Sequence, residues 1–212
     1  MVTSYESIAS PARATLKIVG SRFIASAFPV FSEAEAAKYL DDVRREFFDA
    51  THNCHAFAMD PDGTRQRSSD AGEPSGTAGA KILSAIHAAA LSDVQVVVTR
   101  YFGGTKLGIG GLGRAYFDAA HQVLENAVRC TRQAMKPITV HFPYDVTSAV
   151  MSVLIRYKAV TTATEYMEAV SIHALLPVSQ QEVALHQLTE ATAGAATVDA
   201  TATIVWHTMD HP

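Results

Sequence analysis

The sequence predicts an α+β protein made of two domains. Its 212 residues suit one large or two small domains. Strand-like and helical patterns are mixed through residues 1–135, the predicted first domain. Residues 138–207, the predicted second domain, show the order βαββαβ, which is typical of a ferredoxin-like module. The dipeptide Lys136-Pro137 lies between them and is the expected hinge.

The first domain is expected to open with two strands joined at Gly20-Ser21. A helix should then begin after Ser32, because Glu35 three residues later completes a capping box. The elements expected in this domain are, in order, strands over 14–19 and 23–30, the Ser32 helix, a strand over 52–59, a turn over 60–63, a polar loop over 64–76, a helix over 77–91, a strand over 94–102, a glycine-rich loop, and a helix from 115 to about 132.

The second domain is shorter and more regular. Segments rich in Thr and Val predict its strands, and two segments of helical periodicity predict its helices. The expected strands are 138–142, 161–167, 169–176 and 197–206, and the expected helices are 147–157 and 177 to about 193. Gly194 should end the second helix, and residues 207–212 should form a frayed tail.

Composition limits the function classes. The chain is 48% apolar and 18% charged, which is ordinary for a globular protein. Residues 1–135 carry 14 Lys and Arg and 14 Asp and Glu, so neither domain is a bulk nucleic-acid binder and any phosphate recognition must be local. Two cysteines fit a reducing cytoplasm and make no disulfide framework or four-ligand zinc site. We expect a cytoplasmic protein without signal peptide or membrane contact.

Residues 100–116 form the most distinctive segment of the chain. The segment follows an apolar β-branched run and leads into an alanine-rich helical pattern, an arrangement in which backbone N–H groups can point at an anion. Glycine also allows a ligand to approach the backbone closely. Six of the twelve glycines lie here, namely Gly103, Gly104, Gly108, Gly110, Gly111 and Gly113.

The charges of this segment favour a phosphate-rich partner. Residues 94–117 contain no Asp or Glu but contain Arg100, Lys106 and Arg114. The P-loop string is absent, and residues 108–113 match GxGxxG without the acidic residue that a dinucleotide fold places about 20 residues on. The alternative is a tight strand-to-helix turn that binds nothing.

Three aromatic residues flank the glycines. Tyr101, Phe102 and Tyr116 could stack on nucleic-acid bases. Their alternative role is core packing, which we expect for Phe102 because it ends the predicted strand.

A second motif lies in residues 68–83, just ahead of a predicted helix. Ser75 and Thr77 mark a candidate anion-binding helix N-terminus. The alternative is a loop that only caps the helix, with Thr77 as the cap and Glu73 accepting hydrogen bonds from free N–H groups.

A third motif lies on the strand at 52–59. His52 and Cys54 would share one face of that strand. Together with Glu73 they could be imagined as zinc ligands, but no HExxH or CxxC supports a metal site. The alternative is a pair of ordinary strand residues.

These three motifs together resemble the IMPACT family. The family signature is matched by residues 100–116, 72–79 and 52–54, in the right order, over about residues 5–132. The chain departs from the family at Ala71, where a second acidic residue is common, and at Lys81, where proline is common. The resemblance implies a first domain like the second domain of ribosomal protein S5. It also implies a second domain like the last domain of elongation factor G, as in the two-domain bacterial members.

The resemblance implies a role in translation, because eukaryotic relatives regulate it. We expect a binding protein without cofactor, metal or catalytic residue, which holds RNA, the ribosome or another phosphate ligand, with a protein contact through the second domain. The alternative is a phosphotransferase or hydrolase with Glu73 or His52 as acid–base. His52, Glu73 and Lys106 should surround one concave surface. The expected ligand-binding residues are Arg100, Gly103, Gly104, Lys106, Gly108, Gly110, Gly111, Arg114, Glu73, Ser75, Thr77, His52 and Cys54.

Overall fold

The structure, a computed structural model, describes residues 2–209. These residues divide into an N-terminal unit, Tyr5–Thr131, and a C-terminal unit, Arg132–Met209, to which residues 2–4 also belong. The strands are β1 Ser4–Ile8, β2 Ala12–Ile18, β3 Ser21–Pro29, β4 His52–Met59, β5 Arg65–Ser69, β6 Val94–Tyr101, β7 Arg129–Phe142, β8 Val160–Tyr166, β9 Val170–Pro177, β10 Thr197–Ala200 and β11 Val205–Met209. The helices are α1 Glu33–Glu46, α2 Gly79–Ala88, α3 Gly108–Asn126, α4 Thr147–Arg156 and α5 Gln181–Ala191.

The N-terminal unit is built on a five-stranded antiparallel sheet in the order β2-β3-β6-β4-β5. The central strand β6 is buried from Val94 to Arg100, which explains its nearly continuous apolar sequence. Val96 and Val98 belong to the core that includes residues of α2 and α3. Val97, which points the other way, packs with Leu40 and Val43 of α1. The sheet therefore carries α1 on one face and α2 with α3 on the other.

Several predicted elements of this unit are confirmed. Strand β4 has the predicted bounds, and the turn closes with the N–H of Gly63 donating to the carbonyl of Asp60. Ser32 caps α1 by accepting from the N–H of Glu35 at 3.2 Å. The Glu35 carboxylate in turn accepts from the N–H of Phe31 at 2.7 Å.

The glycine-rich segment differs from its prediction. Helix α3 begins at Gly108, so four of the six clustered glycines are helical and the loop is only residues 102–107. The helix also ends at Asn126 rather than near 132, since β7 begins at Arg129. The prediction of a loop up to residue 114 was wrong because a helix can start with glycines when packing further along holds it, as Leu112, Ala115 and later residues do here.

The C-terminal unit contains strands and helices in the predicted order βαββαβ, with the sheet order β10-β7-β9-β8 and antiparallel pairing of these strands. The expected single strand over 197–206 is wrong, because residues 201–204 lie in no strand and separate β10 from β11. The expected hinge at Lys136-Pro137 is wrong: both residues lie inside β7, paired in register with Leu176 and Leu175 of β9. Residues 207–209 lie in β11, which pairs with β7, instead of a tail. The rest of the predicted tail, 210–212, lies outside the described residues.

The α+β class is confirmed, with two largely antiparallel sheets and five helices in residues 2–209. Two strands that the sequence analysis missed, β1 and β5, are short and lack apolar alternation. Over the same described range, no helix combines the length and apolarity that a bilayer crossing requires.

Candidate functional site

One pocket of about 430 Å³, here called the loop pocket, brings the three sequence motifs together. Its lining includes His52, Glu73 and Lys106, which confirms the prediction that these residues surround one concave surface. The complete lining is Thr51, His52, Glu73, Pro74, Arg100, Phe102, Lys106, Leu107, Gly108, Ile109 and Leu112.

The sheet fixes two of these side chains beside each other. His52 begins β4 and Arg100 lies near the end of β6, and the two are directly paired in register. Directly paired residues of neighbouring strands point to the same face. Both side chains therefore face the side of the sheet that packs against α2 and α3. Glu73, from the loop between β5 and α2, lies on the same side.

Arg100 and Glu73 form a buried ion pair at the floor of the loop pocket. Nη1 of Arg100 donates to Oε1 of Glu73 at 2.7 Å, and the two side chains are 8% and 4% exposed. The hydroxyl of Tyr116 donates to the same oxygen at 2.8 Å. Among the described residues, Nε of Arg100 has no hydrogen-bond partner. The positive charge of Arg100 is thus largely balanced, while one of its donors stays unused.

Cys54 lies in the core rather than in the pocket lining. Its thiol contacts the carbonyl oxygen of Asp70 at 2.9 Å and the hydroxyl of Tyr116 at 3.3 Å. Burial raises the pKa of the Cys54 thiol to about 12 and also raises the pKa of Tyr116. The thiol is therefore protonated at neutral pH, which is the unreactive form of cysteine.

His52 has a defined tautomer. Its Nδ1 lies 2.9 Å from the carbonyl oxygen of Ala71, and a carbonyl only accepts, so Nδ1 carries a proton. In the neutral ring Nε2 is then an acceptor, and it lies 3.9 Å from Oε2 of Glu73. Nε2 of His52 therefore faces the Glu73 carboxylate beside the pocket.

The N-terminus of α3 opens into the loop pocket without a cap. Leu107 occupies the N-cap position and its side chain makes no capping hydrogen bond, and the first turn contains no acidic residue. Within residues 2–209 no other side chain accepts a hydrogen bond from the first N–H groups of this helix. The first N–H groups of a helix have no partner inside the helix, and the helix dipole makes this end positive. Lys106 is exposed beside it, and no ion pair to Lys106 occurs within residues 2–209.

The structural reason for a glycine differs among the clustered positions. A Cβ on Gly103 would come within 2.0 Å of the backbone of Gly20, so Gly103 permits a close approach of two loops. Gly104 and Gly108 have φ values of 86° and 68°, which favour glycine. Gly110 has neither reason: its φ is not positive, and a Cβ would meet nothing within 4 Å. Gly111 would gain only an ordinary contact with Leu107.

The N-terminus of α2 is already occupied by the chain itself. The Asp70 carboxylate accepts from the N–H groups of Gly76, Ala78 and Gly79 at 2.8–2.9 Å. Burial alone would raise the pKa of Asp70, but these three bonds outweigh it and hold the pKa below its ordinary value.

The alternative that this loop caps α2 agrees with these bonds, but its assignment of the cap to Thr77 and Glu73 is wrong. The hydroxyl of Thr77 donates to the carbonyl of Pro74 at 2.6 Å, and Glu73 pairs with Arg100. Asp70 is the residue that caps α2, a role that sequence reasoning missed. The available signal was an Asp ahead of a glycine- and serine-rich helix start. Ser75 is exposed on the same loop.

A second cavity, here called the helix groove, lies between the N-terminal parts of α2 and α3. It has a volume of about 640 Å³ and shares Ile109 with the loop pocket. Its lining is Gly76, Thr77, Lys81, Ser84, Ile109, Gly110, Gly113, Arg114, Phe117 and Asp118. The three cations of the glycine-rich segment therefore separate: Arg100 and Lys106 line the loop pocket, and Arg114 lines the groove.

The aromatic residues have roles opposite to those expected. Phe102 lies just beyond β6, is 47% exposed and lines the loop pocket, although core packing was expected. Tyr116 is fully buried and cannot stack on a base. Tyr101 is half-buried, and its hydroxyl donates to Asp49. Across residues 2–209, no three His, Cys, Asp or Glu side chains are grouped to hold a metal ion.

Comparison with known proteins agrees with the motifs. The model of the Impact N-terminal domain matches residues 19–124, and that of a domain of unknown function, DUF1949, matches residues 140–195. A crystal structure of a hypothetical protein superposes with a TM-score of 0.65 at 26% identity, covering 93% of this chain and 97% of that chain.

Three curated relatives carry the IMPACT name. YvyE of Bacillus subtilis is 38% identical over 64% of this chain, and a Thermus thermophilus member is 49% identical over 50%. YigZ of Escherichia coli is 30% identical over 81% of this chain and 85% of its own length. The chain spans only 63% of the Bacillus protein and 56% of the Thermus protein.

Proposed function

The chain belongs to the IMPACT family, and from that premise we propose that it binds RNA or another phosphate-bearing ligand in the loop pocket as part of translation regulation. The phosphate sits at the N-terminus of α3, where it accepts hydrogen bonds from the first backbone N–H groups. Lys106 supplies the mobile positive charge.

The observation that carries the proposal is the uncapped, acid-free start of α3 at the wall of a pocket. An anion there gains from both the free N–H groups and the helix dipole. Gly110 supports the same reading, because glycine inside a helix costs about 1 kcal/mol relative to alanine and no contact in the described residues requires it.

Other pocket residues suit a nucleotide rather than a bare anion. Phe102 offers an exposed ring on which a base can stack. The unused Nε of Arg100 adds a buried donor in the floor. Glu73 neutralises the Arg100 charge, so Lys106 is the cation whose loss should matter most for the electrostatics.

The test is a fluorescence anisotropy titration of the full chain with labelled single-stranded RNA between about 20 and about 300 mM salt. Lys106→Ala should weaken binding to RNA of any sequence by a similar factor. It should also flatten the slope of log K against log salt by about 0.7, the contribution of one phosphate contact on a single strand. Lys17→Ala, which removes an exposed cation of β2, is the matched control and should bind as the wild type does. Absence of binding at the lowest salt, or equal effects of the two variants, would refute the proposal.

A second candidate function is hydrolysis or phosphoryl transfer in the same pocket. It is favoured by the His52 geometry: the Ala71 carbonyl holds Nδ1, and Nε2 lies beside the pocket, 3.9 Å from Oε2 of Glu73. General base catalysis needs a base placed within reach of the substrate. Turnover of RNA or a phosphate ester that His52→Gln abolishes, while RNA binding persists, would favour this candidate.

For the two units we propose the folds that the resemblance implies. The N-terminal unit resembles the second domain of ribosomal protein S5, and the C-terminal unit resembles a ferredoxin-like domain of the kind found in elongation factor G. The βαββαβ order of the second unit supports that assignment. We propose that this unit contacts a protein partner or the ribosome, in the cytoplasm.

A further inference from the structure

We infer that the helix groove binds a second phosphate of the same ligand, so that the ligand is a single-stranded oligonucleotide rather than a mononucleotide. This inference rests on the proposed function, and it assigns a separate role to Lys81 and Arg114. Both side chains are exposed and line the groove. Within residues 2–209 no carboxylate pairs with either of them.

The loop pocket and the helix groove adjoin at the first turn of α3. The loop pocket is lined by Leu107, Gly108 and Ile109, and the helix groove by Ile109, Gly110 and Gly113. A chain that leaves the loop pocket therefore passes over the first turn of α3 into the groove. The surface at that crossing is glycine backbone and the side chain of Ile109, which is 75% exposed.

The start of α3 and Arg114 are well separated along the helix axis. Gly108 and Arg114 are six residues apart on one helix, which corresponds to about 9 Å along its axis. The groove thus continues along α3 well beyond its first N–H groups, so a ligand with more than one phosphate can occupy both cavities.

The charged side chains of the groove lining favour an anion. Lys81 and Arg114 face one carboxylate in the groove lining, that of Asp118, so the lining keeps a net positive charge. Gly113 lets the Lys81 stem lie across α3, because a Cβ there would come within 3.3 Å of Cε of Lys81. The exposed Lys81 side chain thus lies against α3 and lines the groove.

The apolar residues favour an oligonucleotide over polyphosphate. Phe102 and Ile109 are exposed on either side of the α3 start. Bases can cover these side chains, whereas a chain of bare phosphates cannot, and stacking on aromatic rings is the usual complement of a basic track.

The experiment compares uridine monophosphate, a uridine hexanucleotide and linear polyphosphate on the full chain at about 20 mM salt. Wild type should bind the hexanucleotide at least tenfold more tightly than the mononucleotide. Lys81→Gln and Arg114→Gln, which replace a cation by a neutral polar side chain, should each weaken hexanucleotide binding by about threefold to tenfold, reduce its salt slope by about 0.7, and leave mononucleotide binding unchanged. Arg156→Gln, an exposed cation of α4, is the control.

The outcomes separate the two proposals. If Lys106→Ala weakens both nucleotides but the groove variants bind the hexanucleotide like wild type, the loop pocket stands and the groove inference is overturned. If neither nucleotide binds to wild type, the proposed function fails and the inference fails with it. Polyphosphate binding as tight as hexanucleotide binding would overturn the assignment of an oligonucleotide.

Discussion

The N-termini of α2 and α3 lie in the same unit, follow glycine-containing loops and would be taken from the sequence as equivalent anion sites. They differ in one respect. At α2 the Asp70 carboxylate accepts from three backbone N–H groups, whereas at α3 no side chain of residues 2–209 accepts from the first N–H groups. The chain supplies its own anion at one end and leaves the other end to an external one.

The difference shows that a glycine-rich helix start is not evidence of binding until its N–H groups are traced. Asp70 is six to nine residues before the donors that it satisfies, and a bend of the loop brings it back to them. Glu73 of the same loop forms the ion pair with Arg100 of β6, the strand that precedes α3. The capped end thus also supports the pocket at the open end.

The largest expected effect comes from breaking that link. Glu73→Ala leaves the Arg100 guanidinium buried without its carboxylate and should lower the free energy of unfolding by about 3–5 kcal/mol. Urea denaturation at neutral pH measures this. Glu46→Ala, which breaks the half-exposed pair with Arg13, should cost only about 0–1 kcal/mol. Similar losses in the two variants would show that the buried pair is not what connects the β5–α2 loop to β6.

Removing the α2 cap should have the next largest effect. Asp70→Ala should cost about 0.5–2 kcal/mol of stability at neutral pH, because several N–H groups lose their acceptor. It should also make α2 resemble α3, so inorganic phosphate should raise the melting temperature of the variant more than that of wild type. Equal phosphate shifts in the two proteins would contradict the equivalence of the two ends.

The Asp70 contribution should depend on pH with a definite sign. Its pKa is lower in the folded protein than the ordinary value of about 3.9, so the stabilisation is present above that value and is lost as the pH falls through the folded pKa. The stability difference between wild type and Asp70→Ala should stay constant from about pH 7 to about pH 5 and shrink below about pH 4. A difference that instead grows in acid would reverse the assignment.

A series at Gly110 should separate stability from binding at the open end. A Cβ at this position meets nothing within 4 Å, and alanine, glutamine and glutamate all favour helix over glycine, so each should raise the stability by about 0.5–1 kcal/mol. RNA binding should fall modestly for Gly110→Ala, more for Gly110→Gln, and most for Gly110→Glu, because a carboxylate in the first turn competes with phosphate. If Gly110→Glu binds RNA as Gly110→Gln does, the helix end is not the phosphate site.

Elements with strong local signals could be predicted from the sequence. Strand β4 and the Ser32 cap follow from alternation and from a capping box, and the structure confirms both. The glycines of α3 could not be placed, because local propensity disfavours a helix there and packing of later residues overrides it. The continuation of β7 through Pro137 was likewise decided by pairing with β9.

The site was predictable to the level of shared motifs only. His52, Glu73 and Lys106 meet in one pocket as their co-occurrence predicts. The partners of individual side chains depend on contacts between residues far apart in the chain, such as Tyr116 with Glu73 and Cys54 with Tyr116. Those contacts decide that Tyr116 is core and Phe102 is surface, the reverse of what their sequence positions indicate.

The close approach of Gly103 to Gly20 has a consequence for folding order. The loop before α3 rests against the turn between β2 and β3, and a side chain at Gly103 would collide with that backbone. The open end of α3 can therefore take its final shape only after β6 has paired with β3, a non-local event that must pay loop-closure entropy first. A substitution at Gly103 should slow refolding, whereas Gly110→Ala should leave the refolding rate nearly unchanged, because a Cβ at Gly110 meets nothing within 4 Å.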